Sequence, residues 1–245
     1  MPLDAITYRV RPGHEDRLGE IFSPHTFRRV DSPVIRDADG GTLGMLLGTG
    51  VFVRDDVLVR VIHHDGVPAD RIAEHMSVQE GVHEAERALE PFLAEERDTT
   101  TPEGFREHFH RSLMTVLEQD SPDDRPAAGT VALRHPLRPG AGAELAAAGA
   151  PAPGPSLALS AEHPTIVRTA LFLHSDTLVR VVQYDGHPYD VVRYLTERCW
   201  RADAERWLAP HLEESGPPAD ADAYLATVHE RAMLSVSHMS VLGVG

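Results

Sequence analysis

The stretch Val51-Phe52-Val53-Arg54-Asp55-Asp56-Val57-Leu58-Val59-Arg60-Val61-Ile62-His63-His64-Asp65-Gly66 returns later as Leu171-Phe172-Leu173-His174-Ser175-Asp176-Thr177-Leu178-Val179-Arg180-Val181-Val182-Gln183-Tyr184-Asp185-Gly186. Phe52 and Phe172 stand 120 residues apart, and the same spacing holds at Pro68/Pro188 and Asp70/Asp190. Self-similarity of this kind means two copies of one supersecondary unit. Working outward, Arg11-Pro12-Gly13 recurs as Arg138-Pro139-Gly140. Leu89-Glu90-Pro91-Phe92-Leu93 recurs as Leu208-Ala209-Pro210-His211-Leu212, one residue out of step. Arg111-Ser112-Leu113-Met114-Thr115-Val116 recurs as Arg231-Ala232-Met233-Leu234-Ser235-Val236. The polar, proline-bearing run from Asp120 to Pro126 reads as the linker. The expected domains are therefore residues 1–122 and 123–245.

Within a unit the periodicities predict strand, helix, strand, strand, helix, strand. Ala5 to Val10 and Ala132 to Leu137 are the first strands. A short helix carrying Leu18, Ile21 and Phe22 follows, with Leu145 in its alanine-rich counterpart. A hairpin turns at Asp55-Asp56 and again at Ser175-Asp176. Pro68 and Pro188 suit a first helical position, and Asp70 and Asp190 place negative charge in that first turn, so one long helix is expected from each. Leu113 to Leu117 and Met233 to His238 are the last strands. This order is the ferredoxin-like split unit, an antiparallel sheet with its helices on one face. An uncovered apolar sheet face is costly in water. Two such sheets packed face to face predict an α+β fold in which the duplication forms an intramolecular α+β barrel, with a ligand cavity between the sheets.

Alternation separates the faces of each hairpin. With a two-residue turn, Val51 opposes Arg60 and Phe52 opposes Val59. One face then holds Gly50, Phe52, Val59 and Val61, repeated as Ala170, Phe172, Val179 and Val181, and is expected beneath the helices. The other holds Thr49, Val51, Leu58, Arg60, Ile62 and His64, repeated as Thr169, Leu171, Leu178, Arg180, Val182 and Tyr184, and is expected to line the cavity. An arginine among aliphatics must find a carboxylate, escape to solvent or hold an anion. Arg60 and Arg180 are thus candidates to stabilise an enolate, phenolate or carboxylate, with a structural ion pair or a snorkelling side chain as the competing reading. His64 and Tyr184, at equivalent positions, are candidate proton carriers, as is His135; His238 is a weaker one. Chance accounts for most of the 15 histidines.

Composition narrows the partners. A formal net charge of −15, from 38 acidic and 23 basic residues, disfavours nucleic acid and anionic membrane surfaces. No lysine is present. The single cysteine, Cys199, excludes an internal disulfide and a thiolate cluster within one chain and is expected to pack beside Trp200. No HExxH, glycine-rich phosphate loop, GxSxG elbow or DxDxDG loop occurs, and neither a metal nor a cofactor is expected. The apolar runs are short of a membrane span, and MPLDAITYRV lacks the features of a signal peptide, so the expected location is cytoplasmic. Pro151 to Pro155 and the acidic stretch from Glu213 to Asp222 read as loops.

Through Phe52-Val53-Arg54, Leu58-Val59-Arg60-Val61 and Asp65-Gly66, and their second copy ending Gln183-Tyr184-Asp185-Gly186, the sequence resembles the SchA/CurD-like family over most of its length, including Arg231 to Ser240. That resemblance implies a place among gene clusters for aromatic polyketides, including spore pigments. More distantly the architecture is similar to the dimeric α+β barrel group, with its polyketide cyclases and cofactor-free monooxygenases. The expected function is cyclisation of a poly-β-ketone or polyphenol, with Arg60 or Arg180 holding the enolate and His64, Tyr184 or His135 moving the proton. The alternatives are cofactor-independent oxygenation of an anthrone-like carbon, a non-catalytic polyketide-binding or scaffold protein in contact with other pathway enzymes, and a haem protein. Homodimerisation of the fused chain stays open.

Overall fold

The computed structural model describes residues 1–23, 32–121, 127–148, 165–197, 206–213, 218 and 220–240. Cys199, Trp200, the Pro151 to Pro155 run, most of the expected linker and part of the acidic stretch lie outside them. The chain divides into two compact units, Met1–Met114 with Leu234–Gly245, and Thr115–Met233. Each contains one antiparallel sheet with helices, so the fold is α+β and duplicated. No helix among the described residues is long and apolar enough to cross a membrane.

The first unit runs β1 (Leu3–Arg9), α1 (Glu15–Ile21), the short β2 (Val34–Arg36), β3 (Thr42–Arg54), β4 (Val57–His64), α2 (Ala69–Met76), α3 (Glu80–Leu89) and α4 (Pro102–Ser112). The second runs β5 (Thr115–Asp120), β6 (Gly129–Pro136), α5 (Ala141–Ala148), β7 (Ile166–His174), β8 (Thr177–Tyr184), α6 (Pro188–Tyr194) and α7 (Ala221–Arg231). β9 (Leu234–Ser240) closes the chain. The hairpin registers follow from two-residue turns: Val51 pairs with Arg60 and Phe52 with Val59 in one unit, Leu171 with Arg180 and Phe172 with Val179 in the other. Asp55 and Ser175 enter those turns at φ of 53° and 50°, the left-handed region that tight hairpins require.

The domain boundary expected at 122/123 does not match the compact units, because the last strand of each repeat pairs in the sheet of the other. Leu113 bridges Ile6, and Met114 N–H donates to Ala5 C=O at 2.8 Å. From Thr115 onward the strand instead pairs with β7, while β9 pairs with β3. The second repeat copies this path, with Ala232 bridging Leu133 before Leu234 joins β3. These registers also correct the alignment of the repeats here. Glu118 opposes Leu171 as Ser237 opposes Val51, a spacing of 119 residues, so the one-residue slip seen at Leu89/Leu208 persists to the end of the chain.

The single long helix expected from Pro68 is two helices. Ser77 Oγ donates back to Glu74 C=O at 2.7 Å, and His83 Nε2–H donates to Ser77 C=O at 2.7 Å. Side-chain bonding of this kind competes with helix continuation. The helix α4, not foreseen from the sequence, opens on Thr101, whose hydroxyl caps Gly104 N–H at 3.0 Å, with Pro102 next.

The two sheet faces are the reverse of the expected assignment. In the first unit Ile6, Tyr8, Val51, Leu58 and Ile62 pack against Leu18, Ile72, Met76, Val82, Leu89, Phe105 and Phe109. In the second, Val182 packs with Val191, Tyr194 and Tyr224, and Leu171 and Leu178 pack with Leu145 and Leu208. The helices therefore cover the face bearing Arg60 and Arg180. The apolar face of Phe52, Val59 and Val61 is buried as well, so the strands read as continuous apolar runs rather than alternating ones. Gly50 makes room there for a side chain rather than a helix: a Cβ on it would lie 2.8 Å from the ring of Phe52.

Candidate functional site

Arg60 sits in the middle of β4 and is 3% exposed. Its Nε–H donates to Thr49 Oγ1 at 3.4 Å, and Thr49 in turn donates to Val61 C=O at 3.1 Å. Among the described residues no carboxylate lies within ion-pair distance of this guanidinium. A buried charge in that state calls for an anion.

A polar cluster lies close by, built from β1, α3, α4 and the segment between the helices. Arg97 forms a buried ion pair with Glu86, lies 4.3 Å from the ring centre of Tyr8 and donates from Nη1 to His108 Nε2 at 2.7 Å. Ser112 Oγ is 3.2 Å from the same nitrogen. The His108 ring stacks on Tyr8 with 5.2 Å between centres. Because Nε2 accepts from an arginine, His108 is neutral and carries its proton on Nδ1. Burial, then the charges of Arg97 and Arg111, push its pKa down to about 3. The Tyr8 phenol is held well above its ordinary value by burial, with the Glu86 carboxylate adding to the effect and the Arg97 and Arg60 charges opposing it. The phenol stays protonated and can donate. The cluster thus has one carboxylate for two guanidiniums and leaves a net positive charge under the helices.

The second unit resolves the same strand arginine differently. Arg180 is fully buried, its Nη2 lies 3.2 Å from Glu118 Oε2, and its Nη1–H donates to Thr169 Oγ1 at 3.3 Å. This is the structural ion pair that competed with a ligand role. Glu118 arrives on β5, opposite Leu171. At the matching place on β9 the first unit has Ser237, opposite Val51. Ser237 is 6% exposed, and its Oγ has no hydrogen-bond partner.

The other expected residues are dispersed. His64 Nδ1 accepts from Gly66 N–H at 3.2 Å, which leaves its proton on Nε2, 3.3 Å from Asp4 Oδ2. It shares a face with Arg60 but lies about 13 Å further along the strand. Tyr184 packs on the helix cluster of the second unit and covers Gly129, where a Cβ would come within 2.4 Å of its hydroxyl. His135 occupies the position of Tyr8, pairing with Leu178 as Tyr8 pairs with Leu58, and its Nδ1 accepts from Arg231 Nη1 at 3.3 Å. His238 pairs with Gly50, on the face opposite Arg60, and is exposed. Among the described residues no three His, Cys, Asp or Glu side chains come together as metal ligands.

Comparison with known proteins places the molecule. The model of the SchA/CurD like domain matches residues 1–122 and 130–241. The chain belongs to the SchA/CurD-like domain family. A 42.8 kDa protein in the whiE locus of Streptomyces coelicolor is 33% identical over 222 residues, covering 89% of this chain and 53% of that protein. Polyketide synthase CurD of Streptomyces cyaneus is 29% identical over 75% of this chain and 48% of its own length, and Protein SchA of Streptomyces halstedii is 30% identical over 93% and 58%. The chain spans about half the length of these curated relatives. Among solved structures, an anthrone oxidase-like protein aligns over 98% of this chain and 93% of its own, at 15% identity and a TM-score of 0.41.

Of the first-unit cluster in this SchA/CurD-like chain, only Arg60 was found from the sequence. Tyr8, Glu86, Arg97, His108 and Ser112 converge from four segments, and no local spacing announces that. Ser237 had a usable signal, because it faces Glu118 across the repeat once the 119-residue spacing is applied.

Proposed function

We propose that this chain is an aromatic polyketide-tailoring enzyme that cyclises a poly-β-ketone or polyphenol intermediate, and that its reacting site lies on the helix-covered face of the first unit. The observation that carries this reading is the buried guanidinium of Arg60, without a carboxylate, beside the protonated phenol of Tyr8. Carbons between two carbonyls are acidic, and the barrier to their aldol chemistry lies in forming the enolate. A fixed guanidinium aimed at the enolate oxygen lowers that barrier most where water is excluded. Tyr8 keeps its proton and adds a second donor to the oxygen on which charge gathers. The proton lost from the carbon is returned to the new alkoxide, and dehydration then removes that hydroxyl with a second α-proton as water. The SchA/CurD-like relatives, which include one named as a polyketide synthase, support a polyketide as the substrate class. The second unit, whose arginine already holds Glu118, is assigned a structural role.

Reconstitution with a polyketide synthase that releases a linear poly-β-ketone tests this. Wild type should raise the yield of one ring-closed product, Arg60→Met should return the mixture formed without the protein, and Arg180→Met should leave the wild-type product in place. An unchanged product profile in Arg60→Met overturns the reading. A parallel incubation with an anthrone, under air and under nitrogen, addresses oxygenation: conversion confined to air would replace cyclisation by oxygen insertion.

A further inference from the structure

The two units pose the same problem, a buried mid-strand arginine, and their exchanged strands answer it with different residues. In the second unit Glu118 reaches across Leu171 to Arg180. In the first, Ser237 stands at that place across Val51. A serine side chain ends two bonds short of the carboxylate oxygens of a glutamate, so no carboxylate oxygen reaches the guanidinium from this strand on the Arg60 side. Two polar groups remain on that side: a guanidinium without a carboxylate, and a buried hydroxyl without a hydrogen-bond partner. Each state is costly in a folded protein, the unpaired charge more than the unsatisfied hydroxyl. One anionic oxygen relieves both.

We infer that Ser237, carried by the last strand of the second repeat, is a binding residue of the first unit: with Arg60 it forms a two-point site for the oxyanion of an enolised or phenolic substrate, and the Glu118-for-Ser237 difference confines that site to one unit. This rests on the location given under the proposed function and adds the residue that selects an ionised oxygen. Ser237 donates its hydroxyl proton to the oxyanion while the guanidinium supplies the charge. No covalent bond is made or broken in the step.

The test uses the full chain and 1,8-dihydroxyanthraquinone, a phenol whose absorption moves to longer wavelength on ionisation. Wild type should bind it and lower its ionisation midpoint by about one pH unit or more, as an opposite charge at contact distance does. Ser237→Ala should weaken binding about tenfold to a hundredfold, the worth of one hydrogen bond to a charged group, with a smaller shift in the midpoint. Ser237→Glu should recreate the second unit's ion pair on Arg60 and abolish the shift. Should that variant fail to fold, judged by its thermal melt, Ser237→Ala alone decides, and wild-type affinity in it overturns the inference. If both Ser237 variants bind and ionise the probe as wild type does while Arg60→Met loses it, the role of Ser237 falls and the Arg60 site stands. If Arg60→Met also retains binding and shift, the location itself is wrong.

Discussion

The two units share strands, register and a buried arginine at the same step of the same hairpin, yet one arginine is neutralised by the protein and the other is not. In the second unit the charge is closed off by Glu118, Tyr224 and Val228 pack on the cluster, Thr227 Oγ1 bonds back to Ala223 C=O at 3.0 Å, and Arg231 at the end of the helix donates to His135. In the first unit the equivalent helix brings His108 and Ser112, and the segment before it brings Arg97 onto Tyr8. Duplication lets one copy keep a packing solution while the other holds a polar arrangement that a single unit would have had to trade against stability.

The sharpest way to break this contrast is at the Arg97–Glu86 ion pair of the first unit, both of whose side chains are buried. Glu86→Ala leaves the Arg97 charge without its carboxylate in a site from which water is largely excluded. It should cost about 3–5 kcal/mol, read as a lower urea midpoint. A loss below 1 kcal/mol would mean that the cluster is hydrated and the contrast overstated. The matching change in the second unit, Glu118→Ala, should cost less, about 1–3 kcal/mol, because that carboxylate is 28% exposed and its removal lets water approach Arg180. Equal losses in the two variants would erase the difference in burial on which the comparison rests.

At neutral pH the remaining contrast is silent, and it emerges as a pH dependence. His108 titrates near 3 in the fold against an ordinary value near 6.5. Between those values the unfolded chain takes up a proton that the folded chain refuses. The stability contribution is therefore complete above about pH 6.5 and is lost progressively as the pH falls toward 3. His108→Phe should preserve the stack on Tyr8 and flatten the stability profile across that window by up to one proton. A profile with unchanged slope would show that His108 is not held neutral.

How much of this was legible in the sequence depended on whether the information was local. The hairpin registers were, since a two-residue turn at Asp55-Asp56 fixes the pairing of Val51 with Arg60. Which face the helices cover was not. Apolar purity pointed to the Phe52 face, but the helices that cover the mixed face bring polar groups of their own, Glu86 and His108, which bond Arg97 beside Tyr8. The strand exchange left no mark either, because Leu113 to Leu117 has the composition of a strand whichever sheet accepts it. Arg60 and Arg180 were rightly singled out as residues needing an explanation, and it took the partner strands to show that their explanations differ.

The crossing of β5 and β9 into opposite sheets has a consequence for any attempt to take the molecule apart. A polypeptide cut near Pro122 yields two halves, neither of which owns the edge strand its own sheet expects. Each would display a row of open amide and carbonyl groups along β3 or β7. Such halves should recover their native edges only by finding each other, which makes this chain a natural scaffold for a split reporter whose signal depends on reassembly.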